Sequence, residues 1–174
     1  MGILKLKKQL FVGELTPCEE YITPVRNEMG MNKPRGGFWT STYINEEHGS
    51  DWVLWSLGND FYTCTNSNSW LLTPSTDARI ATVDSLQDLV ELTEKYRAKN
   101  DMELLGASGM MTRFDNLIDY EKLSQDYDAF RITEKGQMDT RFSHPHNLYG
   151  FDCESTVWFR WCFDKVEKLD KSYY

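Results

Sequence analysis

Two segments concentrate the residues able to do chemistry. Residues 33–43 run Lys-Pro-Arg-Gly-Gly-Phe-Trp-Thr-Ser-Thr-Tyr, and residues 152–158 run Asp-Cys-Glu-Ser-Thr-Val-Trp. In the first, the adjacent Gly36 and Gly37 let the backbone pass close to a ligand or to another strand. The hydroxyls of Thr40, Ser41 and Thr42 then alternate between the two faces of an extended chain. The pattern suits a polar strand lining a nucleotide pocket with Phe38 or Trp39 as a wall. It suits a tight turn entering a core strand equally well. In the second segment, Asp152 and Glu154 stand at the mouth of an apolar strand. A carboxylate half shielded by aromatic rings holds a proton more readily, or stabilises a developing cation. The plainer account of Glu154 is an acidic residue on an exposed strand face.

Other combinations carry less. His144 and His146 stand two apart in a loop with no third ligand at the usual spacing, so no metal is expected. The chain has no Ser-His-Asp signature, Walker loop, Gly-x-Gly-x-x-Gly or His-Glu-x-x-His. Ser108-Gly109 lacks the strand-to-helix context of a nucleophile elbow, and Met110-Met111 suits core filling. Cys18, Cys64, Cys153 and Cys162 form no Cys-x-x-Cys pair, which points to reduced, mostly packed thiols.

The elements that must position these segments follow from periodicity. Residues 10–13 form a short apolar run suited to a first strand, and 38–43 alternate aromatic and β-branched residues as a second. Ser50 or Asp51 caps a short helix carrying Trp52, Val53 and Trp55, which Gly58-Asn59 closes. Residues 69–72 and 79–83 are candidate strands. After Asp84 or Ser85 as N-cap, Leu86, Leu89, Val90, Thr93 and Arg97 fall on one helical face, with Leu92 and Tyr96 alongside. A Met-rich loop over 103–113, a helix over 118–127, a strand over 129–133 and a loop over 136–150 come next. Residues 154–163 then read as one long strand, with Val157, Phe159, Trp161 and Phe163 on one face. Strands come early and late with helices between, unlike the regular alternation of a doubly wound fold. The expectation is an α+β fold: one compact domain over residues 1–174, with a mixed or antiparallel sheet core flanked by helices.

Composition bounds the function. The chain has 174 residues, 40% hydrophobic and 26% charged, enough to bury a core without disulfides or a structural metal. Aromatic residues make up 14% and six of them are Trp, which raises the odds of a stacking platform. A net charge of −8 repels phosphate and argues against direct nucleic-acid binding. Residues 4–8 are basic but run into Gln9 with no sustained apolar stretch, and no segment approaches the roughly 20 apolar residues of a spanning helix. A protein of the cytoplasm, neither exported nor membrane-bound, is expected.

Two blocks and their order carry a resemblance. The chain resembles a loose group of small phage-type proteins that share a Lys-Pro-x-Gly-Gly-hydrophobic-Trp-x-Ser run, matched by residues 33–41. They also share a downstream Trp, matched by Trp52 or Trp55, and a Tyr-Gly-aromatic-Asp-x-Glu-Ser-x-x-Trp block, matched by residues 149–158. More distantly, the order is similar to the ADP-ribosyltransferase superfamily. There a Ser/Thr-rich strand precedes a helical middle, a Tyr-Asp-hydrophobic strand follows, and a Glu on a late strand is catalytic. The matching positions are Thr40-Ser41-Thr42, Tyr127-Asp128-Ala129-Phe130 and Glu154.

The resemblance implies an ADP-ribosyltransferase-like fold with NAD as substrate and ADP-ribose passed to a host target, or NAD cleaved. Glu154 would stabilise charge at the ribose next to nicotinamide, and Ser41 would hold that ribose. Arg35, Gly37, Phe38, Trp39, Thr40, Thr42 and Trp158 would form the NAD-binding set. The first strand of those enzymes supplies an Arg or His that grips NAD. Residues 10–13 here (Leu-Phe-Val-Gly) hold neither, and Arg35 would have to substitute from the next loop. The alternative is a non-enzymatic, phage-encoded binder that inhibits a host defence protein or sequesters a nucleotide. An acidic, aromatic-rich surface suits such a binder.

Overall fold

A side-chain cap starts each of the four α-helices found among the described residues of the computed structural model, which describes residues 6–28, 32–61, 68–98 and 116–173. Ser50 accepts from the Val53 N–H at the head of α1 (Asp51–Gly58), and Ser85 from the Asp88 N–H at the head of α2 (Leu86–Lys95). Asp119 does the same for Lys122 in α3 (Tyr120–Asp126), and Thr133 for Gly136 in α4 (Glu134–Thr140). Each cap satisfies an N–H the helix cannot pair, a contribution of about 1 kcal/mol. Asn59 closes α1, as its Gly58-Asn59 signal predicts. On α2, Leu89 and Thr93 of the predicted face are buried, while Leu86 at the helix start is exposed.

The strands are β1 (Gln9–Gly13), β2 (Phe38–Thr42), β3 (Asn68–Pro74), β4 (Ile80–Val83), β5 (Ala129–Ile132), β6 (Ser155–Trp158) and β7 (Phe163–Leu169). They form one seven-stranded sheet in the order β4-β5-β6-β2-β1-β3-β7. The β4–β5 pair is parallel and all the others are antiparallel, so the sheet is mixed. Together with the four helices this is a single compact α+β domain.

Register assigns the two faces, because residues opposite each other in a ladder point the same way. Leu10 faces Ser41, Trp39 faces Val157, and Val157 faces Phe130. That face carries two apolar clusters. One joins Ala81, Val83, Phe130, Ile132 and Val157 to Leu89 of α2 and to Tyr120 and Leu123 of α3. The other joins Leu10 and Val12 to Val53 of α1. The opposite face holds Phe38, Trp70, Leu72, Ala129 and Trp158, covered by Tyr21, Ile22, Trp161 and Phe163. Helices therefore stand on one face in two separate groups, and the middle of the sheet, around Trp39 and Ser41, lies between them.

Three features depart from the sequence expectations. Residues 154–163 are not one strand. β6 ends at Trp158, and the chain turns before β7. Asp128 causes the break: its carbonyl accepts from the Phe159 N–H (2.8 Å), and its carboxylate binds Arg160 Nη1 (2.7 Å). The same carboxylate takes the backbone N–H and guanidinium of Arg79, so it ties the start of β4 to the end of β6. Burial raises its pKa, but the bonds from Arg79 and Arg160 outweigh burial and hold it below the usual carboxylate range. β7, rich in Lys, Glu and Asp, is an edge strand that gave no apolar alternation to read.

The third departure is α4, which lies in a stretch predicted as loop. It has seven residues, and only Gly136 and Thr140 are buried, so it carries no apolar stripe. Gly136 is there for space. A Cβ at this position would stand 2.1 Å from the Val83 carbonyl oxygen and 2.8 Å from its carbon. Gly136→Ala should therefore lift α4 from β4 and cost about 2 kcal/mol, despite the better helix propensity of alanine. Thermal unfolding of the variant checks this, and a melting temperature at or above that of the parent would refute it.

Among the described residues no helix is long and apolar enough to cross a membrane. Cys18, Cys153 and Cys162 are free thiols, of which Cys153 is buried and Cys18 exposed. Cys64, the 103–113 loop with Ser108, Met110 and Met111, and the first residues of the basic start lie outside the described residues.

Candidate functional site

The gap between the two helical groups is a cleft of about 670 Å³. Its volume falls within the usual range for small-molecule and cofactor sites. The floor is the sheet, with Leu10 and Val12 of β1 and Trp39, Thr40 and Ser41 of β2. Trp52 and Trp55 form one wall from α1, with Phe61 behind them. Lys33, Pro34, Arg35 and Gly36 form the other, together with Asp152, Cys153 and Ser155. Trp52 and Trp55 are three apart, which sets both on one side of the helix. Trp55 packs against Phe61 at 5.5 Å between ring centroids.

The wall at residues 33–36 is built on fixed backbone. Arg26 and Arg35 exchange both backbone hydrogen bonds at 2.9 Å. Asn32 is buried, and its amide bonds the Ile118 N–H and the Asn147 carbonyl. Gly36 and Gly37 both have positive φ, +77° and +69°, which an L side chain rarely adopts. A Cβ on Gly36 would meet the Pro24 carbonyl at 2.3 Å, and one on Gly37 would meet Val157 Cγ2 at 2.4 Å. The two glycines thus serve a close backbone approach to strand and loop, and the Gly36 carbonyl accepts from Trp39 Nε1 at 2.9 Å.

Of the residues expected to act, the fold brings Ser41 and Glu154 together. Ser41 Oγ lies 2.8 Å from Glu154 Oε2 and accepts from the Trp52 N–H at 3.3 Å. Thr42 adds its N–H to Oε2 (2.7 Å) and its hydroxyl to Oε1 (2.6 Å). Arg131 Nε donates to Oε1 at 3.2 Å. The Glu154 side chain is only 6% exposed, so it is not the surface residue that its position first suggests. Its own N–H donates to Asp51 Oδ2 at 2.7 Å, which ties the head of α1 to the start of β6. Glu154 does not line the cleft, whereas Ser41 does.

The other expected positions divide by face. Arg35, Trp39 and Thr40 border the cleft. The Thr40 hydroxyl is turned away from it: it donates to Gln9 Oε1 and accepts from Trp158 Nε1. Phe38 and Trp158 are 3% and 0% exposed in the cluster on the opposite face. They present no ring to the cleft, because each is one residue out of phase with the strand positions that do. Thr42 and Gly37 serve Glu154 and the Val157 approach, as described. Arg35 is mostly exposed and paired with Glu28 at 3.1 Å.

Four groups at the site were not assigned to it from the sequence. Lys33 borders the cleft with its ammonium over the rings of Trp39 (5.1 Å) and Phe151 (5.5 Å). Trp52 and Trp55 were legible as a helix but not as a wall, although their spacing of three was the available signal. Arg131, the partner of Glu154, had no signal in sequence, because the contact spans 23 residues. Cys153 borders the cleft, and burial pushes its thiol up to about 12, so it is protonated at neutral pH and no nucleophile. His144 and His146 lie beyond α4, and among the described residues no group of three or more His, Cys, Asp or Glu could hold a metal.

The class the structure defines is thus an α+β domain with an aromatic cleft over the centre of a mixed sheet. No known protein family matches the chain, nor does any characterised protein or any solved structure.

Proposed function

We propose that this protein is a nucleotide-binding protein that takes a ligand of the NAD type into the cleft and holds it without turning it over. One observation carries the reading. The cleft has one aromatic wall and a sheet floor sized for such a ligand, while the one carboxylate with a suggested catalytic role is fully engaged elsewhere. Glu154 has both oxygens bonded to protein donors and is turned toward Thr42 and Arg131. A base can lie against Trp52 or Trp55, above a floor and wall that include Ser41 and Ser155. A binder of this kind withdraws a nucleotide from use, in keeping with a phage-encoded protein acting inside a host cell.

The second reading is the ADP-ribosyltransferase-like one, in fold and in activity. What favours it is the adjacency of β2 and β6, which sets the Thr-Ser-Thr strand beside the Glu strand with Ser41 touching both the cleft and Glu154. In that reading Glu154 reaches the ribose after releasing Ser41.

Titration with NAD, followed by tryptophan fluorescence, and assay of nicotinamide release separate the two. The first reading expects saturable binding with no release. It also expects Trp55→Ala to weaken binding about tenfold, the scale of one base stacked on one ring. Trp55 lies on the half-exposed side of α1, so the variant should melt within a few degrees of the parent. Release of nicotinamide by the parent would move the assignment to the second reading, and absence of NAD binding would remove both.

A further inference from the structure

We infer that Lys33 forms an anion subsite in this cleft and receives the phosphate of the bound ligand. The inference rests on the nucleotide-binding reading and names the group that grips the charged part.

The argument is one of charge. Among the described residues, four of formal charge at neutral pH border the cleft: Glu28, Lys33, Arg35 and Asp152. Glu28 and Arg35 are paired with each other at 3.1 Å. Asp152 is paired with Arg141 at 3.4 Å. Among the described residues Lys33 has no carboxylate partner, and its ammonium lies over the rings of Trp39 and Phe151. Among the described residues, the cleft of a protein with net charge −8 thus keeps one uncompensated cation, half-buried on its wall. Ring faces attract an ammonium but leave its N–H donors without acceptors, and a partly desolvated ammonium gains most from an anion.

Position supports the same role. Lys33 stands between Asn32, bonded on both sides of its amide, and buried Pro34. Its backbone is set before any ligand arrives, so little freedom is lost on binding. The ammonium lies over Trp39 on the floor, so a phosphate there leaves the base free to reach Trp52 and Trp55 on the far wall. Arg35 has the charge but not the situation, since Glu28 already neutralises it. The cation sought in the first strand, and then at Arg35, is supplied two residues earlier.

The experiment compares ADP-ribose, which carries two phosphates, with adenosine, which carries none, by calorimetric titration of the full chain. Lys33→Gln should weaken ADP-ribose about ten- to hundredfold, the scale of one charge-assisted contact, and leave adenosine within about twofold. Lys33→Arg should recover most of the lost affinity. In the parent, ADP-ribose binding should fall with added salt and adenosine binding should not. That comparison requires no variant to fold. Equal losses for both probes would make Lys33 a cover for Trp39 and overturn the subsite. ADP-ribose binding that is unchanged in Lys33→Gln, or insensitive to salt in the parent, would overturn it too while leaving the nucleotide reading in place. Failure of the parent to bind either probe would overturn both.

Discussion

Glu154→Gln should lower the stability of the domain by about 3 kcal/mol, the low end for removing one partner of a buried ion pair. The carboxylate accepts from four donors. The hydroxyls of Ser41 and Thr42 can rotate to suit an amide, but the Thr42 N–H and Arg131 Nε–H cannot. Glutamine has one acceptor oxygen. If that oxygen keeps Thr42 N–H and Ser41, the new amide group faces the Arg131 guanidinium, donor against donor. Arg131 is 21% exposed, so water relieves part of its loss, which sets the estimate at the low end of the range. Urea unfolding should show a lower midpoint with an unchanged slope. A variant as stable as the parent would mean that the network does not hold β2 to β6. If that stable variant also lost a nicotinamide-releasing activity of the parent, Glu154 would be a catalytic group and the transferase reading would stand.

Trp158→Ala should cost about 4 kcal/mol, within the range for deleting a large aromatic from a core. Trp158 is fully buried, its ring 4.4 Å from that of Phe163, and its indole N–H bonds the Thr40 hydroxyl at 2.9 Å. Truncation leaves a cavity and removes the donor that Thr40 accepts. Trp158→Phe keeps most of the volume, and it should fold and bind NAD as the parent does, because the ring lies on the face away from the cleft. A folded Trp158→Phe protein with binding weakened tenfold would place the ring at the ligand and contradict the face assignment. Paired with Trp55→Ala, which should weaken binding and spare stability, it separates the core aromatics from those of the cleft.

What the sequence determined by itself was local. The alternation in residues 38–43, the short run at 10–13, the cap before each of the first two helices and the periodic face of α2 depend on neighbours a few residues apart, and each yields its element, though β2 stops at Thr42 and only Leu89 and Thr93 of the α2 face are buried. The two segments richest in chemistry were also legible, and β2 and β6 do pair. Tertiary structure decided the rest. Which of Phe38 and Trp39 meets a ligand depends on the phase of β2 against β1 and β6, and a one-residue change exchanges the faces. Whether Glu154 is free or tied depends on Arg131, which comes beside it only through the β5–β6 ladder. The Asp128 clamp breaks residues 154–163 into two strands by a contact across some 30 residues. α4 has no apolar stripe and is held instead by the approach of Gly136 to β4. That Lys33 alone among the cleft's described charges keeps no opposite partner follows from where Glu28, Arg35, Arg141 and Asp152 come to rest. Charge balance at a site is a property of the assembled surface, and residue order alone does not contain it.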